Sequence, residues 1–273
     1  MTDLNHAIVL LTGAAGGFGQ ELTRQLLQAG SRLILTDLDC DRLWEQVKAI
    51  QASVTTGEII TCLAADLSDA TGCEQLYQQV QQLDCAIDIL INNAGIALFG
   101  RTDEIPATYW ERLMQINLLA PIRLSAMFAR DMIARRKGHI VNISSVAGWV
   151  ARSGLTHYST SKFGLRGFSE GLYEDVKDYG VKVTVVYPFF SRTPMLQAQK
   201  FGTLAAQQEE LPEAWITDPA EVMAATIRGV QQNQLHVFPD RAGQFIYRLK
   251  RFTPGLLDWI SNALVRRTQR GSS

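Results

Sequence analysis

Tyr158 and Lys162 stand four residues apart in the run Tyr-Ser-Thr-Ser-Lys, a spacing that puts both side chains on one face of a helix. A free tyrosine, with a pKa of about 10, is a poor base at neutral pH. An ammonium beside it favours the phenolate and draws that pKa toward the working range, so the pair can transfer protons. Alone, the spacing is weak, because such pairs occur by chance on exposed helices. Ser145 lies thirteen residues upstream after an apolar run, and Asn117 lies in a long helical pattern.

A second group has the chemistry of a dinucleotide site. The apolar run 7–12 leads directly into Thr-Gly-Ala-Ala-Gly-Gly-Phe-Gly, Thr12 to Gly19, and then into a helical pattern. Glycines there allow a tight turn and the close approach of a pyrophosphate to a helix N-terminus, whose free amides and dipole favour anions. Asp37, eighteen residues past Gly19 at the end of the next apolar run, is placed to accept hydrogen bonds from ribose hydroxyls. A glycine-rich turn by itself is a weak signal. With a strand before it, a helix after it and the acid beyond, a purely structural turn explains little.

Adding Asn92-Asn93-Ala94-Gly95 after the fourth apolar run completes an ordered set: TGxxxGxG, NNAG, a helical Asn, Ser, then YxxxK. From about residue 7 to residue 193 this set resembles the short-chain dehydrogenase/reductase (SDR) family, of the compact single-domain kind. The resemblance implies that Tyr158 exchanges a proton with the substrate oxygen while hydride moves to or from the nicotinamide C4. Lys162 would lower the tyrosine pKa and bond the nicotinamide ribose. Ser145 would bond the substrate oxygen, and Asn117 would hold a water linking Lys162 to solvent. It further implies cofactor contacts from Gly13, Gly17, Phe18, Gly19 and Asp37, with Asp66 and Leu67 at the adenine. Asn92, Ala94 and Gly95 would lie on the ribose side and Asn93 in the sheet; Pro188 would pass the nicotinamide and Thr193 would bond its carboxamide.

NAD is favoured over NADP, since an acid ending the second strand repels a 2′-phosphate. Gly16 and Leu38 occupy the places where NADP-preferring relatives carry a basic residue, and Arg42 lies a helical turn further on. The chain departs from the family at 188–189, where relatives read Pro-Gly and this sequence reads Pro188-Phe189, followed by Phe190. Phenylalanine cannot take left-handed backbone angles as cheaply as glycine. Either the two rings flank the nicotinamide and an apolar substrate, or they fill core behind the loop.

Substrate contacts are expected from Ser145, Trp149, Tyr158 and Phe190. Val146, Leu155 and His157 face the variable loop from Pro194 to about Ile216, which carries Met195, Leu196, Phe201, Leu204, Leu211 and Trp215. No cluster of Arg or Lys marks a site for phosphate, so the substrate reads as a largely apolar secondary alcohol or ketone. The function expected is an NAD-dependent oxidoreductase, an alcohol dehydrogenase or carbonyl reductase. The competing reading is a catalytically inactive dinucleotide-binding sensor or scaffold, against which the complete Asn117, Ser145, Tyr158 and Lys162 set argues. A sugar-nucleotide epimerase or dehydratase shares the YxxxK logic but usually has different glycine spacing and a longer C-terminal domain.

These residues need a scaffold. Strand-length apolar runs at 7–12, 32–36, 58–64, 88–91, 139–143, 181–187 and 235–238 alternate with helical patterns. That alternation predicts an α/β fold, a doubly wound parallel sheet of Rossmann type in a single domain. Long helices around 106–136 and 158–179 are expected to pair subunits into a homodimer or homotetramer, as in many relatives. Residues 1–240 read as the dinucleotide-binding and catalytic domain, and 241–273 as a basic amphipathic C-terminal extension of it.

Of 273 residues, 47% are hydrophobic and 19% charged, as in a globular protein. The net charge of −1 divides into −7 before Arg241 and +6 from there on, an acidic body that does not suggest nucleic-acid binding. The four cysteines and four histidines lack metal spacing, so no metal site is expected, and free thiols fit a reducing, cytoplasmic compartment. In the extension, Leu256, Leu257, Ile260, Leu264 and Val265 recur at helical spacing beside Trp259, followed by Arg266, Arg267 and Arg270. Such a helix either closes over the cleft or a subunit partner, or rests on an anionic membrane as a peripheral contact.

Overall fold

The computed structural model describes residues 1–206, 212–253 and 255. Seven parallel strands form the main sheet: β1 (Ile8–Thr12), β2 (Arg32–Asp37), β3 (Glu58–Ala64), β4 (Ile89–Asn92), β6 (Gly138–Ile143), β7 (Val181–Val186) and β9 (His236–Val237). Their order is β3-β2-β1-β4-β6-β7-β9. The fold is the expected doubly wound α/β sheet. The chain runs outward from β1 to β3, then returns to start β4 on the other side of β1. This reversal opens a crevice at the carboxyl ends of β1 and β4, where such sheets bind ligands.

Leucine and β-branched runs make these strands because both faces of the sheet are covered. One face packs on α1 (Gly17–Gln28), α2 (Cys40–Gln51) and α8 (Pro219–Gln231) through Leu22, Leu26, Leu43, Val47, Val222 and Met223. The other packs on α3 (Ala70–Gln81), α5 (Ala120–Ala134) and α6 (Thr156–Val176) through Leu76, Leu124, Phe128 and Leu172. Asp39, Asp69 and Asp218 cap α2, α3 and α8 with side-chain carboxylates. Gly16 starts α1 with no side-chain cap, leaving that terminus open to an outside acceptor.

Three features depart from the sequence pattern. The helix expected around 106–136 is broken into α4 (Ala107–Met114), a π-helical turn at Gln115–Leu119, and α5. A pair of two-residue strands, β5 (Leu98–Phe99) and β8 (Gln199–Lys200), forms a separate parallel ladder too short to show a period. It ties the loop after β4 to the start of α7 (Gly202–Ala206). Of the extension, only α9 (Arg241–Phe252) and its edge fall within the described residues. Leu211, Leu256, Leu257, Trp259, Ile260, Leu264, Val265, Arg266, Arg267 and Arg270 lie outside them. No described helix is long and apolar enough to cross a membrane.

Candidate active site

β6 ends at Ile143, and the chain turns through Ser144 and Ser145 toward α6. The Ser145 side chain caps the short turn at Val146–Gly148 by accepting from the Ala147 amide (3.1 Å), and its Oγ donates to the Pro188 carbonyl (3.4 Å). Tyr158 and Lys162 lie on α6, one turn apart, as their spacing requires. The Lys162 Nζ is buried and donates to the Ile143 carbonyl (2.9 Å), 5.7 Å from the centre of the Tyr158 ring. Ser144 steadies this part of the helix by donating to the Lys162 carbonyl (3.0 Å).

Asn117 reaches the site because of the π turn. An i→i+5 bond widens the helix locally and re-aims the side chain within it. The Asn117 amide is fully buried, accepts from the Ile96 N–H and donates to the Ile96 carbonyl (both 2.8 Å), and also donates to the Ser161 hydroxyl (3.3 Å). Gly95 lies between, since a Cβ on it would stand 3.3 Å from Asn117 Oδ1 and 3.7 Å from Lys162 Nζ. Asn117, Gly95, Ser145, Tyr158 and Lys162 therefore meet in one place.

The electrostatics differ from the simplest expectation. Burial pushes the Tyr158 pKa up to about 12, and a hydrogen bond with Ser145 draws it back only in part. Burial also pulls the Lys162 ammonium down to about 8. Desolvation opposes either charged form in a low-dielectric pocket. At this distance, with Nζ engaged by Ile143, the lysine does not offset the cost of burying a phenolate.

The glycine turn is built against the NNAG segment. Gly13 has a left-handed φ of +65°, and a Cβ there would come within 2.7 Å of the Ala94 Cα. The Thr12 hydroxyl accepts from the Asn93 and Ala94 amides (both 3.0 Å). Asn93 braces the turn rather than the sheet interior, its side-chain amide donating to the Thr12 and Gly13 carbonyls (both 3.0 Å). The Asn92 side-chain amide donates to Ser125 (3.1 Å) and Asn142 (2.8 Å) between β4, α5 and β6, while its Oδ1 is buried without a hydrogen-bond partner. The Phe18 ring likewise packs on the core, leaving its amide to the turn.

Asp37 accepts from the Ala15 amide (2.9 Å) and the Leu38 amide (2.8 Å), which fixes the carboxylate at the rim of the turn. Asp66 is exposed and accepts from the Ser68 amide (2.9 Å); hydrogen bonds with Ser68 hold its carboxyl below the usual range. Leu67 is buried beside Ala94 in the core. Thr193 covers the start of α1: a Cβ on Gly17 would lie 2.7 Å from its methyl group. Pro188 is buried and Thr193 half-buried, both on the loop after β7. A glycine turn with an uncapped helix start, rimmed by Asp37 and overhung by Thr193, fits a dinucleotide.

The substrate side is rearranged relative to expectation. Trp149 is not brought to Tyr158. Its ring is enclosed by Tyr187, His236, Phe238 and Tyr247, with the Arg166 guanidinium 3.2 Å from its centre. Val146 joins that cluster. His157 stacks on Trp110 (5.5 Å, 6° between planes), and burial lowers its pKa. Tyr158 instead packs against the buried cluster of Leu98, Ile105 and Leu113, on which Ile96, Trp110, Met114 and Phe201 also pack. Phe190 is half-buried, edge-on to Phe189 (4.7 Å) and beneath the Arg152 guanidinium (5.7 Å). Phe189 is not among the non-glycine residues with left-handed φ (His6, Asp84, Arg136 and Asn233), so the missing glycine costs no strain there.

Residues 7–202 match the family described as short chain dehydrogenase. The chain belongs to the short-chain dehydrogenase family. Among curated short-chain dehydrogenases it is 35% identical to bovine (Bos taurus) 3-ketodihydrosphingosine reductase over 193 residues, 70% of this chain and 58% of that protein. It therefore spans less than two thirds of that relative. A solved short-chain dehydrogenase from Sphingobium yanoikuyae, in complex with NADPH, matches with a TM-score of 0.77 at 28% identity, covering 92% of this chain and 95% of that one. The bulky-bulky ketone specific alcohol dehydrogenase of Comamonas testosteroni matches with a TM-score of 0.75 at 26% identity, over 93% and 94% of the two chains. As a short-chain dehydrogenase the chain is an oxidoreductase that uses a nicotinamide cofactor.

The sequence did not disclose the supports of this site. The Ile143 carbonyl and Ser144 act through main-chain contacts, Ser161 through the Asn117 side chain, and Asp240 by accepting from the Phe189 and Gly243 amides. Only Asp240 left a trace, an acid three residues before Gly243 in a capping position.

Proposed function

We propose that this short-chain dehydrogenase transfers a hydride between a nicotinamide cofactor and a largely apolar secondary alcohol or ketone, with Tyr158 as general acid or base. The convergence of Ser145, Tyr158, Lys162 and Asn117 carries the reading. When bound, the nicotinamide supplies or accepts the hydride. Ser145 and Tyr158 together hold the substrate oxygen. With its pKa high, Tyr158 keeps its proton at neutral pH and is ready to give it to the alkoxide formed in reduction. Lys162 and Asn117 hold the route by which that proton is replaced, and Lys162 bonds the nicotinamide ribose.

An inactive sensor has no use for this network, whose buried Lys162 and Asn117 each cost desolvation. The apolar neighbours of Tyr158, from Ile96 to Phe201, favour a bulky hydrophobic carbonyl compound. The bulky-bulky ketone specificity named for the Comamonas enzyme and the 3-ketodihydrosphingosine named for the bovine one agree with that choice.

Gly13, Gly17, Phe18 and Gly19 hold the pyrophosphate through main-chain amides, Asp37 the adenosine ribose, Asp66 and Leu67 the adenine, and Thr193 the carboxamide. NAD is the preferred cofactor because the Asp37 carboxylate repels a 2′-phosphate and the next residue, Leu38, is an exposed apolar side chain. NADH is expected to bind at least about tenfold more tightly than NADPH, and Asp37→Ala to erase the preference. Fluorescence titration of both nucleotides checks this; tighter NADPH binding by the wild type reverses the assignment.

The outward face of α6, with exposed Phe163 and open space at Gly167 and Gly171, suits a homodimer or tetramer contact. α9 turns Phe245 and Phe252 outward near Arg248 and Arg251, the residue types that hold a cytoplasmic protein peripherally on anionic lipid.

A further inference from the structure

The Pro188–Phe189 peptide bond is gripped from both sides. Its carbonyl oxygen accepts from the Val146 amide (3.0 Å) and the Ser145 hydroxyl (3.4 Å). Its N–H donates to Asp240 Oδ2 (2.8 Å). Because the amide is planar and rigid, the direction of one group fixes the other. The Asp240 carboxylate is buried, 7% exposed, and its second oxygen accepts from the Gly243 amide (2.6 Å) to cap α9. Gly243 has no room for a side chain: a Cβ would lie 2.9 Å from Asp240 Oδ1 and 3.1 Å from the Val146 methyl. The first turn of α9 is thus seated directly on the segment that carries Ser145.

We propose that Asp240 is a positioning residue: by holding the Phe189 N–H it sets the Pro188–Phe189 peptide plane, and through the Pro188 carbonyl it places the Ser145 Oγ, whose one proton turns from that carbonyl to a bound ketone oxygen. An ordinary helix cap could be shared out to water. A buried carboxylate whose two oxygens serve different segments couples them, since rotating away from one donor breaks the bond to the other. The arrangement also accounts for a phenylalanine at 189. With the peptide plane fixed by Asp240 there is no need for the conformational freedom of glycine, and the ring packs against the Val146, Val185 and Tyr187 cluster that Ile246 of α9 also covers, edge-on to Phe190. The inference rests on the role proposed for Ser145 above.

Asp240→Ser in the full chain separates the two duties, because serine caps helices well but its shorter side chain cannot span both donors. Hydrogen exchange should show the Phe189 amide protected in the wild type and exchanging at least about tenfold faster in D240S. The melting temperature of D240S should fall by only a few degrees, the cost of one unpaired N–H, while kcat falls about tenfold and the cofactor Kd changes less than about twofold, the pattern of a misaligned catalytic hydroxyl. Asp240→Ala, which loses the cap as well, should add a lower melting temperature. A wild-type Phe189 amide that exchanges freely overturns the proposal without recourse to any variant. So does a D240S protein with wild-type kcat, or one whose only change is lower stability. If the wild type turns over no carbonyl compound, the functional reading fails, and the positioning claim is then decided by the Phe189 amide alone.

Discussion

Tyr158→Phe is expected to lower kcat by about 10²–10⁴-fold, the range for loss of a general acid or base, while leaving nucleotide affinity within about twofold. The ring packs against the cluster of Leu98, Ile105 and Leu113, and phenylalanine keeps that packing. Only the hydroxyl and its bond with Ser145 are lost. The melting temperature should therefore barely move. Steady-state rates, nucleotide titration and a thermal melt on the same preparation check the three parts together. Retained turnover would remove Tyr158 from the chemistry.

Gly19→Ala should be nearly as damaging, by a different route. A Cβ at Gly19 would come within 2.2 Å of the Gly13 carbonyl oxygen and 2.7 Å of the Ala14 backbone. Those atoms are main chain in a turn already pinned by Asn93 and by Ala94, so they cannot yield as a flexible side chain would. The turn must open, and the amides meant for a pyrophosphate lose their alignment. We expect nucleotide affinity to fall by about 100-fold or more, with about 1–3 kcal/mol of lost stability from overpacking. Nucleotide titration and a thermal melt of the variant check both parts; affinity within about twofold of wild type would mean that the turn accommodates the added methyl group.

The sheet was legible because its strands are continuous apolar runs, and residues such as Val9, Leu10, Ile89, Ile140 and Val185 are buried accordingly. The glycine turn and the Tyr158–Lys162 pair were legible because their chemistry depends on local spacing. What escaped depends on distant partners. Trp149 follows the serine loop in sequence, yet it is captured by Tyr187 and Phe238, just past the ends of β7 and β9, and by Tyr247 of α9. Asn92 faces inward because Ser125 and Asn142 offer partners that no local pattern reveals. The π turn around Asn117 leaves no mark in a helical periodicity. The pKa of Tyr158 also depends on how deeply the pocket buries it, a property of the assembled fold.

The central claim, Tyr158-dependent hydride transfer to an apolar carbonyl, is tested most directly by one measurement. Purified full-length protein is incubated with NADH or NADPH and a panel of secondary ketones graded in bulk and polarity, and loss of reduced nicotinamide absorbance is followed. The account predicts turnover that rises from small polar to bulky apolar ketones and disappears in the Tyr158→Phe variant. Nucleotide binding without turnover of any ketone, or turnover confined to small charged substrates, would contradict it.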